Sequence, residues 1–202
     1  HRVPVDMVRM GWRVWVSTMA TNAAIALIAL TMMWLVGVRP FLLTSSSQFR
    51  TAGPNALGSA QWVADYNEVK GIGSVNSAVR TPEQTHNALF WQSNGGPALL
   101  WGDVADDLAE SSSMSEADTA RLLAMLNIAG ADAAINTWND KYHYAFWRPW
   151  NATHADDGNP ATAPDPTWAA LLTAPYPEHP SGHLCLDSAE LPVLQMFFGD
   201  NL

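Results

Sequence analysis

Apolar residues recur at helical spacing in five segments of the chain, and polar or turn-forming residues separate these segments. Typical helix-start residues precede several of them, such as Thr81 before Pro82 and Ser115 before an acidic turn. The pattern predicts helices over residues 59–70, 82–93, 97–110, 115–147 and 184–198. Long loops rich in proline, glycine or serine are predicted at 39–58 and 151–180. No strand series and no internal repeat is evident, so we expect an all-α helical bundle.

A 25-residue run without charge, at residues 14–38, lies between Arg13 and Arg39. A membrane-spanning helix needs about 20 apolar residues, and the three arginines before the run would place the N-terminus inside. We therefore expect an apolar N-terminal segment at 1–38, a candidate membrane anchor, followed by a helical domain at 39–202. A buried core helix and an uncleaved export signal are the open alternatives for this run. A membrane anchor would make this a membrane-anchored protein, and an export signal would make it an exported one.

Composition narrows the class of protein. Charged residues make up 14% of the 202 residues and hydrophobic residues 48%, which excludes a disordered, highly charged chain. The formal net charge of −9 argues against a general nucleic-acid-binding surface. An anionic ligand remains compatible with this charge, because a few local cations can outweigh a distant acidic surface. Cys185 is the single cysteine, so the chain forms no internal disulfide.

Two short segments combine groups that suit an oxyanion. Lys141 and Arg148 are seven residues apart, which in a continuous helix puts them about 10 Å apart along the axis and within reach of one anion. Ser181 and Gly182 lie at the predicted start of the last helix, where free N–H groups favour an anion. His183 could move a proton near neutral pH. The structural alternative is a solvated helix end followed by an ordinary helix cap.

Two groups of residues have spacings that resemble metal ligands, and the sequence favours a metal site at neither. His179 and His183 have the four-residue spacing of some zinc ligands, but the proline and glycine between them argue against one helical face. Asp156, Asp157 and Asn159 could supply oxygen ligands to calcium, but the full calcium-loop pattern is absent and a turn explains them. We predict no metal-ion ligands among the side chains.

The motifs resemble one known superfamily. Residues 141–149 read Lys, six residues, Arg-Pro, and residues 180–183 read Pro-Ser-Gly-His. These are the first two signatures of the vanadium haloperoxidase and type 2 phosphatidic acid phosphatase superfamily. The loop between them, at 157–178, resembles the bacterial vanadium-dependent haloperoxidase branch. The resemblance covers residues 39–200, implies a bacterial protein with a helical bundle of this type, and leaves the N-terminal apolar run outside.

The resemblance implies a role for each motif residue. Lys141, Arg148, Ser181 and the Gly182 N–H would bind the oxygens of vanadate, or of phosphate in a phosphatase. His183 would be the acid–base group. In a haloperoxidase, an oxidoreductase, the small-molecule substrates are peroxide and a halide. In a phosphatase of this scaffold, the substrate is a phosphate monoester or a lipid phosphate. Partners other than such small molecules are not implied.

One departure from the superfamily stands out. Its third signature, Ser-Arg followed by a His and an Asp, has no counterpart here, because no histidine follows His183 and no arginine follows Arg148. That histidine is the nucleophile in the phosphatases and the vanadium ligand in the haloperoxidases. A protein that continues beyond Leu202 and a non-catalytic remnant that at most binds an oxyanion are the two interpretations. We expect little or no activity from a chain that lacks this histidine.

Overall fold

Helices account for the regular structure of this protein. The computed structural model describes Leu27 and residues 33–93 and 96–200. Within that part of the chain there are six α-helices: α1 (Ala60–Ile72), α2 (Pro82–Ser93), α3 (Pro97–Ser111), α4 (Glu116–Tyr144), α5 (Pro149–His154) and α6 (Gly182–Phe198). Short 3₁₀ helices span Leu35–Gly37 and Pro160–Thr162. The described residues contain one isolated β-bridge and no strand, so the predicted all-α fold is confirmed.

Helix starts follow the local sequence signals. The hydroxyls of Ser59, Ser115 and Ser181 each accept the backbone N–H of the residue three positions later, at 3.1, 3.2 and 3.3 Å. Each contact satisfies one of the free N–H groups that every helix start leaves. The cap at Ser181 makes α6 begin at Gly182, two residues before the predicted position.

The end of α4 differs from the prediction. The helix ends at Tyr144 rather than near Trp147, because Ala145 adopts a left-handed conformation with φ 46°. The Ala145 N–H still donates to the Lys141 carbonyl at 2.8 Å, which closes the last turn. Arg148 therefore lies beyond the helix, at the residue that precedes α5. The condition under which Lys141 and Arg148 would share a helix face, a continuous helix between them, is therefore not met.

Two smaller boundaries also differ. α1 continues through Gly71 to Ile72 instead of ending at Lys70. The segment predicted as a loop from residue 151 to residue 180 begins inside α5 and contains the 3₁₀ turn Pro160–Thr162.

The main core lies where α3, α4 and α6 pack together. Its buried members are apolar and come from all three helices: Ala105, Ala109, Leu122, Leu126, Val193 and Leu194. Burying a leucine side chain contributes about 1.5–3 kcal/mol. Because α4 packs along α6, the C-terminal end of α4 lies beside the N-terminal end of α6.

A second cluster packs α1 against α5. Trp62 and Tyr66 of α1 are buried with Ala152 of α5, and Phe146 and Trp147 cover them. The Trp62 and Trp147 rings lie parallel, with centroids 6.2 Å apart. This cluster fixes the connection between α4 and α5, and with it the backbone that carries Arg148.

A polar stripe on α4 holds the loop that precedes α1. The buried Asp132 carboxylate accepts the backbone N–H groups of residues 41, 42 and 43 at 2.7, 2.7 and 3.0 Å. One and two turns further on, Asn136 accepts the Phe49 N–H at 3.0 Å and Asp140 accepts the Thr51 N–H at 2.8 Å. The loop at 39–58 is therefore anchored to the bundle.

The predicted membrane segment at 14–38 lies outside the described residues except for Leu27 and residues 33–38. Among the helices that the structure describes, none combines the length and the apolar character that a bilayer crossing requires.

Candidate oxyanion site

The end of α4 and the start of α6 meet at one cavity of about 510 Å³. The C-terminal half of α2, the start of α3 and the loop before α6 complete its wall. All five residues predicted from the two motifs line it: Lys141, Arg148, Ser181, Gly182 and His183. The structure thus brings together groups that lie up to 42 positions apart in the chain.

Lys141 enters the cavity from the last turn of α4. Its side chain is 1% exposed, yet its ammonium group donates to the backbone carbonyls of Pro177 at 3.0 Å and Glu178 at 2.9 Å. An ammonium has three donors, so one remains for a ligand. Burial lowers the pKa of Lys141 from 10.5 to about 8, with Arg148 acting in the same direction and Glu178 opposing it.

One aromatic ring contacts both cations of the site. The Tyr176 ring has the Lys141 Nζ 5.3 Å and the Arg148 Cζ 5.6 Å from its centroid, and both cations lie over its face. The Trp138 ring provides a second face for the Lys141 ammonium at 5.9 Å. Cations are attracted to aromatic faces at these distances. Tyr176 therefore holds two positive groups near each other at a single cavity.

Arg148 reaches the cavity from the linker between α4 and α5. The carbonyl oxygen of the Asn151 side chain accepts its backbone N–H at 3.3 Å, which orients the residue at the start of α5. Its Nη1 forms an ion pair with Glu178 Oε2 at 2.7 Å. In the described part of the chain this carboxylate is the guanidinium's one ion-pair partner. A planar guanidinium can donate to two oxygens of one ligand.

Ser181 and Gly182 form the start of α6. Ser181 caps the helix, and the next N–H groups belong to the first turn, where no preceding helical carbonyl can accept them. A Cβ at Gly182 would lie 3.1 Å from Trp138 Cη2 and 4.0 Å from Lys141 Cε. The absence of a side chain therefore lets the helix start approach Trp138 and the lysine closely.

His183 forms another part of the cavity wall. Its Nε2 lies 3.3 Å from the Trp91 carbonyl oxygen, and its ring meets the Trp91 ring edge-on. His179 lies elsewhere, with its Nε2 3.0 Å from the Thr51 hydroxyl and its ring beside Tyr144. The two histidines with zinc-like spacing therefore have separate surroundings, and the described residues contain no metal-binding cluster.

Asp157, one of the three candidate calcium ligands, has a structural role. The Asp157 carboxylate accepts hydrogen bonds from the Thr162 hydroxyl at 2.8 Å and the Trp62 indole at 3.1 Å. It also accepts the Asn159 N–H at 3.0 Å. These contacts lower the Asp157 pKa below its ordinary value and fold the 157–162 turn onto α1.

Three residues of the site were missed as functional candidates: Tyr176, Glu178 and Trp138. Tyr176 and Glu178 lie in the proline-rich loop that the sequence identified only as similar to the haloperoxidase branch. Trp138 is one turn before Lys141, a spacing that could have suggested a shared face. The pairing of Glu178 with Arg148 spans thirty positions and has no local signal.

Comparisons with known proteins point in one direction. The family model described as the VCPO second helical-bundle domain matches residues 121–202. The vanadium chloroperoxidase of Curvularia inaequalis is 28% identical over 188 residues, which cover 77% of this chain and 30% of that protein. The crystal structure of the first bacterial vanadium-dependent iodoperoxidase aligns with a TM-score of 0.69 and 28% identity. That alignment covers 84% of this chain and 42% of the other.

These three comparisons support a relationship to the vanadium haloperoxidase and type 2 phosphatidic acid phosphatase superfamily. The matched domain includes α4 from Arg121 onward, α5, α6 and both motifs. The superfamily resemblance noted in the sequence is thereby confirmed. The chain spans 30% of the length of the chloroperoxidase and 42% of the iodoperoxidase chain.

Proposed function

We propose that this chain carries an oxyanion-binding site of the vanadium haloperoxidase type, with vanadate as its ligand. The observation that carries the proposal is the convergence of Lys141, Arg148, Ser181, Gly182 and His183 on one cavity. The relatives named as a chloroperoxidase and an iodoperoxidase support vanadate as the ligand and peroxide with a halide as the small-molecule substrates.

The donor set suits a tetrahedral oxyanion. Arg148 offers a planar pair of N–H groups, and Lys141 offers the one ammonium donor that its two carbonyl partners leave. The start of α6 adds the Gly182 N–H, and the missing side chain there leaves the backbone accessible beside Lys141. Two cations, one hydroxyl and a helix start would hold the oxygens of a single anion.

Vanadate, when bound, would supply the electrophilic centre that activates peroxide toward a halide. The chain's own groups would bind and orient the anion. Lys141 and Arg148 would neutralise its charge in a cavity partly shielded from water, where electrostatic attraction is stronger than in solvent. His183 would donate or accept a proton at the edge of the cavity, with its ring held by the Trp91 carbonyl.

Calorimetric titration with orthovanadate tests this proposal. The parent chain is expected to bind vanadate, and Arg148→Ala is expected to lower the affinity about 10- to 100-fold, as for the loss of a charge-assisted contact. Arg121→Ala is the matched control, because this exposed arginine lies at the opposite end of α4 with its guanidinium over the Phe197 ring. Equal affinities for the parent and Arg148→Ala would refute the assignment of Arg148.

Turnover assays distinguish the two reactions of the superfamily. Peroxide-dependent oxidation of iodide, bromide and chloride tests the haloperoxidase reaction, and hydrolysis of p-nitrophenyl phosphate tests the phosphatase reaction. Since no histidine follows His183 in this sequence, we expect binding with little or no turnover of either kind. Rapid phosphate ester hydrolysis without halide oxidation would replace the proposed reaction by the phosphatase one.

A further inference from the structure

Glu178 places a negative charge at the cavity proposed to bind an anion. Its Oε2 lies 2.7 Å from Arg148 Nη1 and has almost no solvent exposure of its own. The side chain as a whole is 43% exposed, so its carboxylate is not enclosed by the core. Among the described residues, the guanidinium is the one charged group in ion-pair contact with this carboxylate.

The backbone of Glu178 is fixed while its side chain has room to move. The Glu178 N–H donates to the Phe146 carbonyl at 3.0 Å, and the Glu178 carbonyl accepts from Lys141 at 2.9 Å. Glu178 also lines a second cavity of about 250 Å³, on the side of the aromatic cluster that contains Trp62 and Trp147. A rotation of the side chain toward that cavity would release Arg148 without moving the backbone.

An oxyanion and Glu178 compete for the same donors. The site contains two cations, Lys141 and Arg148, and one carboxylate that already uses the guanidinium. A ligand that takes the planar N–H pair of Arg148 must therefore displace Glu178 or bind beside its negative charge. Displacement costs the Arg148–Glu178 ion pair for any ligand, and a carboxylate that stays near the cavity also repels the ligand. This repulsion weakens binding more for a dianion than for a monoanion, because it scales with ligand charge.

We infer that the Glu178 carboxylate is a built-in counter-ion of Arg148 that an incoming oxyanion displaces, and that it sets the affinity and charge selectivity of the site. This inference rests on the proposed oxyanion-binding function. It assigns Glu178 a specificity-determining role that neither motif contains. In the alternative role, Glu178 would only hold Arg148 in the conformation that binds the ligand.

The two roles predict opposite effects of Glu178→Gln, which keeps the size of the side chain and removes its charge. In a solvent-like dielectric, a carboxylate about 6 Å from a bound monoanion repels it enough to weaken its binding about threefold. The same carboxylate weakens the binding of a dianion about tenfold. Calorimetry with two tetrahedral probes, perchlorate as the monoanion and sulfate as the dianion, is expected to show gains of about threefold and about tenfold. Orthovanadate is expected to bind more tightly as well.

Two further variants control the experiment. Glu110→Gln removes the same charge at the far end of α3, about 20 Å along the helix from the cavity residue Pro97, and is expected to change neither affinity. Glu178→Ala removes the carboxylate without adding an amide and is expected to shift both affinities in the same direction as Glu178→Gln. Thermal unfolding followed by circular dichroism verifies that each variant is folded.

The outcomes separate the inference from the proposed function. Parent binding that Arg148→Ala weakens, together with unchanged or weaker binding by Glu178→Gln, overturns the counter-ion role and leaves the oxyanion site intact. Equal gains for perchlorate and sulfate overturn the proposed charge selectivity, because removing a carboxylate that stays near the ligand must favour the dianion. Absence of anion binding in the parent and in both Glu178 variants overturns the proposed function together with the inference.

Discussion

The buried Lys141 gives the free energy of unfolding a specific dependence on pH. Its pKa is about 8 in the folded protein, against an ordinary value of 10.5, because burial disfavours the charged form. Below about pH 8 the lysine is protonated in both the folded and the unfolded state, so the buried ammonium destabilises the folded state to its full extent. As the pH rises from about 8 to 10.5, the folded state loses the proton before the unfolded state does. The stability therefore rises over this range, by at most about 3 kcal/mol.

Lys141→Met removes this dependence while keeping the volume of the side chain. Near pH 7 the variant loses the buried charge but leaves the Pro177 and Glu178 carbonyls without their donor, at a cost of about 1–3 kcal/mol each. The two effects oppose each other, so we expect a small difference from the parent there. From pH 7 to pH 10 the parent should gain stability relative to the variant, by at most about 3 kcal/mol.

Urea unfolding at several pH values, followed by tryptophan fluorescence, measures this difference. Lys70→Met is the matched control: the other lysine also donates to a backbone carbonyl, that of Ala163 at 2.7 Å, but it is only half-buried. Its stability profile is expected to run parallel to that of the parent. Parallel profiles for Lys141→Met and the parent would refute the reasoning, since they would show that folding does not desolvate the Lys141 charge. In the same pH range, orthovanadate affinity should fall in the parent, because the free protein loses the Lys141 proton.

Four further substitutions have defined consequences. Asp132→Ala removes the acceptor of three backbone N–H groups and should lower the free energy of unfolding by about 3 kcal/mol or more. Urea unfolding, together with faster amide exchange in the anchored loop, would establish this. An unchanged unfolding midpoint would contradict it. Gly182→Ala places a Cβ 3.1 Å from Trp138 Cη2 and should weaken vanadate binding and destabilise the fold by about 1–3 kcal/mol. Gly102→Ala, within a helix and with no atom within 4 Å of its added Cβ, should instead stabilise by about 0.5–1 kcal/mol. Burial raises the Glu190 pKa from 4.5 to about 7, so the stability of the parent falls by at most about 3 kcal/mol as the pH rises through this range. Glu190→Gln lacks this loss and should be more stable than the parent above about pH 7. Parallel urea unfolding profiles for the two proteins would argue against this.

The sequence identified helix starts better than helix ends. Ser59, Ser115 and Ser181 each cap a helix within two residues of the predicted start, because capping depends on one side chain and a nearby N–H. The end of α4 was placed too late, since Ala145 adopts a left-handed conformation without the glycine that usually marks such an end. The clearest local signal for the end of α4 is Pro149, but its steric effect disfavours a helical conformation only at the preceding residue, Arg148.

The site also combines features with a local sequence signal and features that depend on tertiary packing. The two motifs each lie at one helix end, so sequence could name their five residues. Where those residues meet depends on the packing of α4 along α6, which creates the shared cavity. The contact of Tyr176 with two cations and the pairing of Glu178 with Arg148 are tertiary contacts of a proline-rich loop. No local periodicity encodes such contacts.

The position of a bound oxyanion is the most direct test of the central claim. Crystals of this chain soaked with tungstate, a tetrahedral oxyanion whose metal scatters anomalously, would locate the ligand without reference to activity. We predict one strong anomalous peak in the cavity between α4 and α6, with ligand oxygens at hydrogen-bond distance from the Arg148 guanidinium and the Gly182 N–H. A peak only elsewhere on the protein, or none at a tungstate concentration that saturates vanadate binding, would contradict the assignment of this cavity as the oxyanion site.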